Sequence, residues 1–142
     1  MSDGSMIFHV EDVDTPDLKE ESVASWVSNS IDSENKHLGT INCILCSDPY
    51  LLEINKTYLK HDTFTDIVTF NYVENDLISG DLFISLDRVK ENAVTFKVDF
   101  LHELKRVIIH GVLHLIGYND KTPKEAEEIR AKEDFYLTLY AD

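Results

Sequence analysis

His110 and His114 are the residues of this chain best placed to do chemistry together. On a helix, positions i and i+4 share a face with β-carbons about 6 Å apart, so both imidazoles can reach a single cation. Three residues on, Gly117 suits the left-handed position that ends a helix. The chain can then turn back and bring Asp120 towards the two rings. The pattern His-x-x-x-His-x-x-Gly-x-x-Asp has the spacing of the long zinc motif of one metalloprotease branch, with a carboxylate in place of the third histidine. Against this stands a plainer reading, a core helix whose histidines are satisfied by hydrogen bonds.

Three protein ligands leave a coordination position open for water or substrate, as in catalytic rather than structural zinc sites. A cation held this way lowers the pKa of water towards neutrality and offsets charge on a phosphoryl oxygen. The residue after the first histidine is the general base in the protease motif, but here it is Gly111. That weighs against peptide hydrolysis. Glycine inside a helix costs about 1 kcal/mol relative to alanine, which predicts a close approach of backbone or substrate at this point.

The stretch resembles the signature of the YbeY family of metal-dependent endoribonucleases, the rRNA maturation factors. That signature, His-Gly-x-Leu-His-Leu-x-Gly-Tyr-Asp-His, is matched from His110 to Tyr118, and Asp120 stands where the family has its third histidine. Aspartate is an adequate zinc ligand, although two imidazoles and a carboxylate also suit iron(II) and other first-row metals. The resemblance continues upstream. Tyr58, Asp62, Thr65, Asp66, Thr69 and Phe70 match the family's loop and strand, and Gly80 to Ser85 match its Gly-Asp-Ile-x-Ile-Ser. Leu59 replaces a family arginine and Phe64 a proline, so Lys60 or another cation would have to meet substrate phosphate, without the bidentate fork of arginine. The likeness runs from about Tyr50 to the C-terminal helix and is weak before it.

The resemblance implies a single hydrolase domain over residues 1–142. The implied activity is single-strand-specific endonucleolytic cleavage of RNA, in 16S rRNA 3′-end maturation and ribosome quality control. It also implies one divalent ion, zinc, on His110, His114 and Asp120, with single-stranded RNA and the ribosome as partners. Lys60, His61, Asp66, Asp81 and Arg106 are the candidates for substrate contact or a remote base. Asp66, Asp81 and His61 have a plainer role open to them in turn capping, and Arg106 has one in an i, i+3 ion pair with Glu103. The competing functions are a metallopeptidase-like hydrolase, a non-catalytic ribosome-associated factor with a structural metal, and more remotely an iron(II) oxygenase.

The net charge of −14 is unfavourable for a protein that grips RNA through its phosphates. Much of the acid is local, however, at positions 11–21 and 125–134, and whole-chain charge does not fix what one cleft binds. No 18-residue apolar run occurs and the N-terminus lacks signal-peptide features, so a soluble, cytoplasmic protein is expected, with residues 1–5 a disordered leader. Cys43 and Cys46 fall within one apparent strand, where a separation of three sends the thiols to opposite faces as buried hydrophobes.

The elements that must position these residues read as an α+β domain, a four-stranded mixed sheet with about five helices. Strands are expected at 7–10, 40–46, 67–70 and 80–85, with a polar loop at 31–38 and a turn-rich link at 74–79. Thr15-Pro16-Asp17 looks like a helix start, giving a helix to about Asn29 with Leu18, Val23, Trp26 and Val27 inward. Helices should also open at Ser47-Asp48-Pro49, at Leu86 and near Asp99. The helix from Asp99 is apolar nearly all round and reads as the buried central one. Thr122-Pro123-Lys124-Glu125 is a capping box, opening a last helix to about Tyr140 that packs through Ile129, Phe135, Leu137 and Leu139.

Overall fold

Parallel strands joined through helices account for most of the chain. The structure, a computed structural model, describes residues 4–59 and 65–140. Strand β1 (Ser5–Val10) is followed by α1 (Glu20–Ser33), β2 (His37–Cys46), α2 (Asp48–Leu59), β3 (Ile67–Asn71) and β4 (Leu77–Ser85). Helices α3 (Leu86–Phe96), α4 (Phe100–Ile116) and α5 (Pro123–Thr138) complete it. The sheet order is β1-β2-β4-β3, with β1, β2 and β4 parallel and β3 antiparallel to β4. Among the described residues, the mixed four-stranded sheet and five helices are therefore those expected.

Side chains alternate across the sheet, and each face builds its own core. Ile41, Cys43, Leu45, Leu82 and Ile84 join α1, α4 and α5 in the main core, centred on Leu104, Ile108, Val112 and Leu113. On the opposite face Cys46, Leu51 and Val68 cluster with Tyr50, Ile54, Phe70 and Phe83 under α2. Cys43 and Cys46 are thus both buried and on opposite faces. Burial in apolar surroundings pushes the Cys43 thiol well up and that of Cys46 up to about 12, so neither is a reactive thiolate.

Several boundaries differ from expectation for tertiary reasons. Ser5, expected in a leader, pairs with Thr40 in β1. Helix α1 starts at Glu20, not beside Pro16. The Leu18 amide donates to the Pro16 carbonyl at 2.8 Å in a local turn, and Val13 and Leu18 pack against the core. At its other end α1 runs through the stretch expected to be loop. Ile31 is fully buried there, and the hydroxyls of Ser30 and Ser33 each donate at 2.8 Å to helix carbonyls, of Trp26 and Ser30 respectively. Strands β2 and β4 both begin about three residues early, because His37 pairs with Leu77 and extends the parallel ladder past the polar positions. In α5 and at the residue that caps it, Phe135 and Leu139 are exposed, and Tyr136 is buried with Ile129 in their place.

Other helix ends behave as read. The Ser85 hydroxyl caps α3 by accepting from the Arg88 amide at 3.2 Å. In the capping box of α5, the Thr122 hydroxyl accepts from the Glu125 amide, and the Glu125 carboxylate accepts from the Thr122 amide, both at 3.1 Å. Gly111 is where α4 meets the sheet. A β-carbon there would lie 2.7 Å from Ile67 Cδ1 and 2.9 Å from Leu82 Cδ2, closer than packed carbons allow. Its place is filled by protein side chains, so substrate is not what selects it.

Candidate metal centre

Helix α4 carries both histidines, and its termination brings the third group to them. Gly117 takes φ +128°, a region that L side chains rarely adopt. The amides of Gly117 and Tyr118 donate back to the Leu113 carbonyl at 3.1 and 3.0 Å, which closes the helix and reverses the chain. Asp120 returns so that its Oδ2 lies 3.5 Å from His110 Nε2 and 3.4 Å from His114 Nε2, and the two Nε2 atoms are 3.0 Å apart.

The other ring nitrogens fix the tautomers. His114 Nδ1 is 3.0 Å from the Tyr118 carbonyl oxygen and His110 Nδ1 is 2.5 Å from Glu133 Oε2. Both partners are acceptors, so each Nδ1 carries the proton and each Nε2 presents a lone pair. Two lone pairs and a carboxylate oxygen facing one another repel unless a cation lies between them. A tetrahedral ion with bonds of about 2.0–2.2 Å separates its ligand atoms by about 3.4 Å. The three observed separations of 3.0, 3.4 and 3.5 Å match that requirement, so His110, His114 and Asp120 fit a divalent metal ion.

A buried acid backs the ring of His110. Glu133 on α5 is 3% exposed and also accepts from Arg106 at 3.0 Å. Burial alone would lower the His110 pKa, but the hydrogen bond and charge of Glu133 outweigh it and hold the imidazole above its ordinary value. Such a carboxylate beside a ligand imidazole fixes ring orientation and raises its basicity. The Arg106 guanidinium lies among Glu133, Asp134 at 3.2 Å and Glu103 at 3.6 Å. The i, i+3 contact with Glu103 exists, but inside the protein, not on an exposed helix end. Glu103 is 2% exposed and its Oε1 accepts no hydrogen bond; burial raises its carboxyl above the usual range against the lowering effect of Arg106.

A cleft of about 390 Å³ opens beside the ligands, lined among others by Asp66, Asn92, Phe96, Arg130, His110 and Asp120. Asp66 therefore stands where it was sought, and burial raises its carboxyl pKa although His110 opposes the shift. Asp81 does not join it. It lies between Leu82 and Gly80 with its side chain on the other face of the sheet, accepting from Asn42 Nδ2 at 3.1 Å. Lys60 and His61 lie outside the described residues.

Two contributors were missed in the sequence. Glu133 shares a helical face with Ile129 and Tyr136, a periodicity that marks an acid on the buried side. Glu34, next after α1, holds the loop that follows α4: it accepts from Tyr118 Oη at 2.7 Å, from Lys132 at 3.2 Å and from Tyr136 Oη. Burial would raise its pKa, but these donors hold its carboxyl below the usual range.

The family model described as "Endoribonuclease YbeY" matches residues 9–141, which extends the likeness well upstream of Tyr50. A protein named endoribonuclease YbeY from Flavobacterium psychrophilum is 52% identical over 135 residues, covering 95% of this chain and 96% of that protein. One of the same name from Phocaeicola vulgatus is 48% identical over 93% of this chain and 96% of its own length. In solution, a Thermotoga maritima protein has the same fold, with a TM-score of 0.66 at 28% identity over 92% of this chain and 87% of that one. Sequence and fold agree from the first strand to the last helix, and the chain belongs to the YbeY endoribonuclease family.

Proposed function

We propose that this chain is a metal-dependent endoribonuclease that cuts single-stranded RNA during rRNA maturation, working in the cytoplasm with the ribosome as its setting. In this reading His110, His114 and Asp120 hold one zinc ion. The observation that carries it is the convergence of two Nε2 atoms and a carboxylate oxygen, with each Nδ1 held from behind by an oxygen acceptor. When bound, a divalent ion there supplies a Lewis acid for the phosphoryl oxygen and acidifies water. The protein's own groups do the rest. Glu133 holds the His110 proton at Nδ1, Arg106 holds Glu133, and the Tyr118 carbonyl holds the ring of His114.

Asp66 is proposed to take a proton from attacking water or from the ribose 2′-hydroxyl. It lines the cleft, and its raised pKa brings it closer to the value suited to a base at neutral pH. On sequence grounds alone, Lys60 and His61 are proposed to contact substrate phosphate. The peptidase reading is disfavoured by Gly111, whose surroundings are closed by Ile67 and Leu82. The structural-metal reading is disfavoured by Asp120, which is 43% exposed on its side chain and leaves the site open to the cleft.

The test is cleavage of a fluorogenic single-stranded RNA by protein of known metal content, beside a chelator-treated sample and the His114→Ala protein. Turnover should fall at least about a hundredfold in both controls, since a Lewis acid here is worth several kcal/mol. One metal per chain with intact RNA throughout would instead establish a non-catalytic factor.

A further inference from the structure

The cleft beside the ligand residues has a wall that the metal chemistry does not use. Phe96, the last residue of α3, leaves a large apolar ring half exposed to solvent at 51%. It lines the same cleft as His110 and Asp120. Across from it, Arg130 of α5 places its guanidinium carbon 5.9 Å over the ring centroid, with the side chain 53% exposed. Two planar contacts of about 3.5 Å each need about 7 Å. An outward swing of about 1 Å by a long, exposed arginine therefore makes a slot one aromatic ring thick. One turn before Phe96 on the same helical face, Asn92 brings an amide into the cleft, its Nδ2 3.5 Å from Asp66 Oδ2. Hydrogen-bonding groups thus flank the slot.

Charge favours stacking over phosphate contact as the source of affinity. The net charge is −14, and the cleft itself presents Asp66, Glu103, Asp120 and Glu133. Its other cation, Arg106, is already engaged by three carboxylates. A single strand bound here gains little from counterion release, whereas unpaired bases stack on aromatic rings and arginine planes regardless of the surrounding field. A base inside a duplex cannot enter such a slot.

We propose that Phe96 and Arg130 clamp one unpaired nucleobase of the RNA beside the bond to be cut, and that this clamp is a source of single-strand selectivity. The inference rests on the endoribonuclease reading for its substrate. Its test uses the full-length protein and a short single-stranded RNA carrying 2-aminopurine at each position in turn, read both by fluorescence and by cleavage kinetics.

With wild-type protein, emission should be quenched at one position next to the cut. Phe96→Leu should abolish that quenching and raise KM by about five- to 150-fold, the range of one base stack, with kcat little changed. Phe96→Tyr should restore both. Arg130→Lys keeps the charge and should still weaken binding. Wild-type KM and unaltered emission in Phe96→Leu would overturn the clamp and leave the nuclease intact. Phe96-dependent quenching without any cleavage would do the reverse. RNA that is neither bound nor cut would remove both.

Discussion

Glu133 touches two partners at once, the Nδ1 of His110 and the guanidinium of Arg106. Its charge keeps the imidazole basic and its position keeps the ring aimed, so its loss should act through the ion and not through the fold. Glu133→Gln retains shape and one acceptor oxygen while removing the charge. It should weaken zinc affinity by about ten- to a hundredfold, read by competition with a chromophoric chelator; unchanged affinity would mean that the contact is structural only. At this scale the sequence disclosed the three groups that converge and concealed their supports. His110, His114 and Asp120 follow from one turn of helix and its reversal. Glu133 and Glu34 reach the site from elements that only packing brings near.

Helix ends show the same division. The box at Thr122 and the serine cap at Ser85 are satisfied within three residues, so local chemistry decides them. Thr15-Pro16 carries equally good capping residues, yet Val13 and Leu18 are drawn onto the core and the helix waits until Glu20. One end is visibly unoptimised. Lys97 closes α3 with φ +57°, and its amide donates to the Val94 carbonyl at 3.3 Å. A β-carbon in that conformation costs about 1–2 kcal/mol, part of which glycine returns through the greater freedom of the unfolded chain. Lys97→Gly should therefore stabilise the protein by about 0.5–1 kcal/mol, measured by urea denaturation with an unchanged m value. A loss of stability would place the Lys97 side chain among the contacts that hold α3 to α4.

Across the whole molecule the candidate ligand set joins α4 to the loop that leads into α5, and Glu34 ties that loop back to α1. An ion binding the folded but not the unfolded chain adds about 2.7 kcal/mol at a hundred times its Kd. For a domain of this size that amounts to about 5–10 °C in Tm. Scanning calorimetry with zinc and after chelation should show that difference in the wild type and none in His110→Ala. An equal difference in both proteins would locate the ion elsewhere.

The sequence by itself determined which three groups could hold a metal ion and the class of fold. A metal motif is written in spacing along one helix, and a mixed sheet with five helices follows from alternation, helical period and caps, all interactions of a few residues' range. Tertiary structure decided which acids are buried against the imidazoles, that Asp66 enters the cleft while Asp81 turns away from it, and that Phe96 and Arg130 face each other across it. Asp66 and Asp81 are alike in type, and in the sequence each directly precedes an apolar run. What separates them is their place in the sheet: Asp81 lies inside β4, paired with Phe70, whereas Asp66 stands just before β3, within reach of Asn92 on α3, a placement made by strand pairing and helix packing between distant segments.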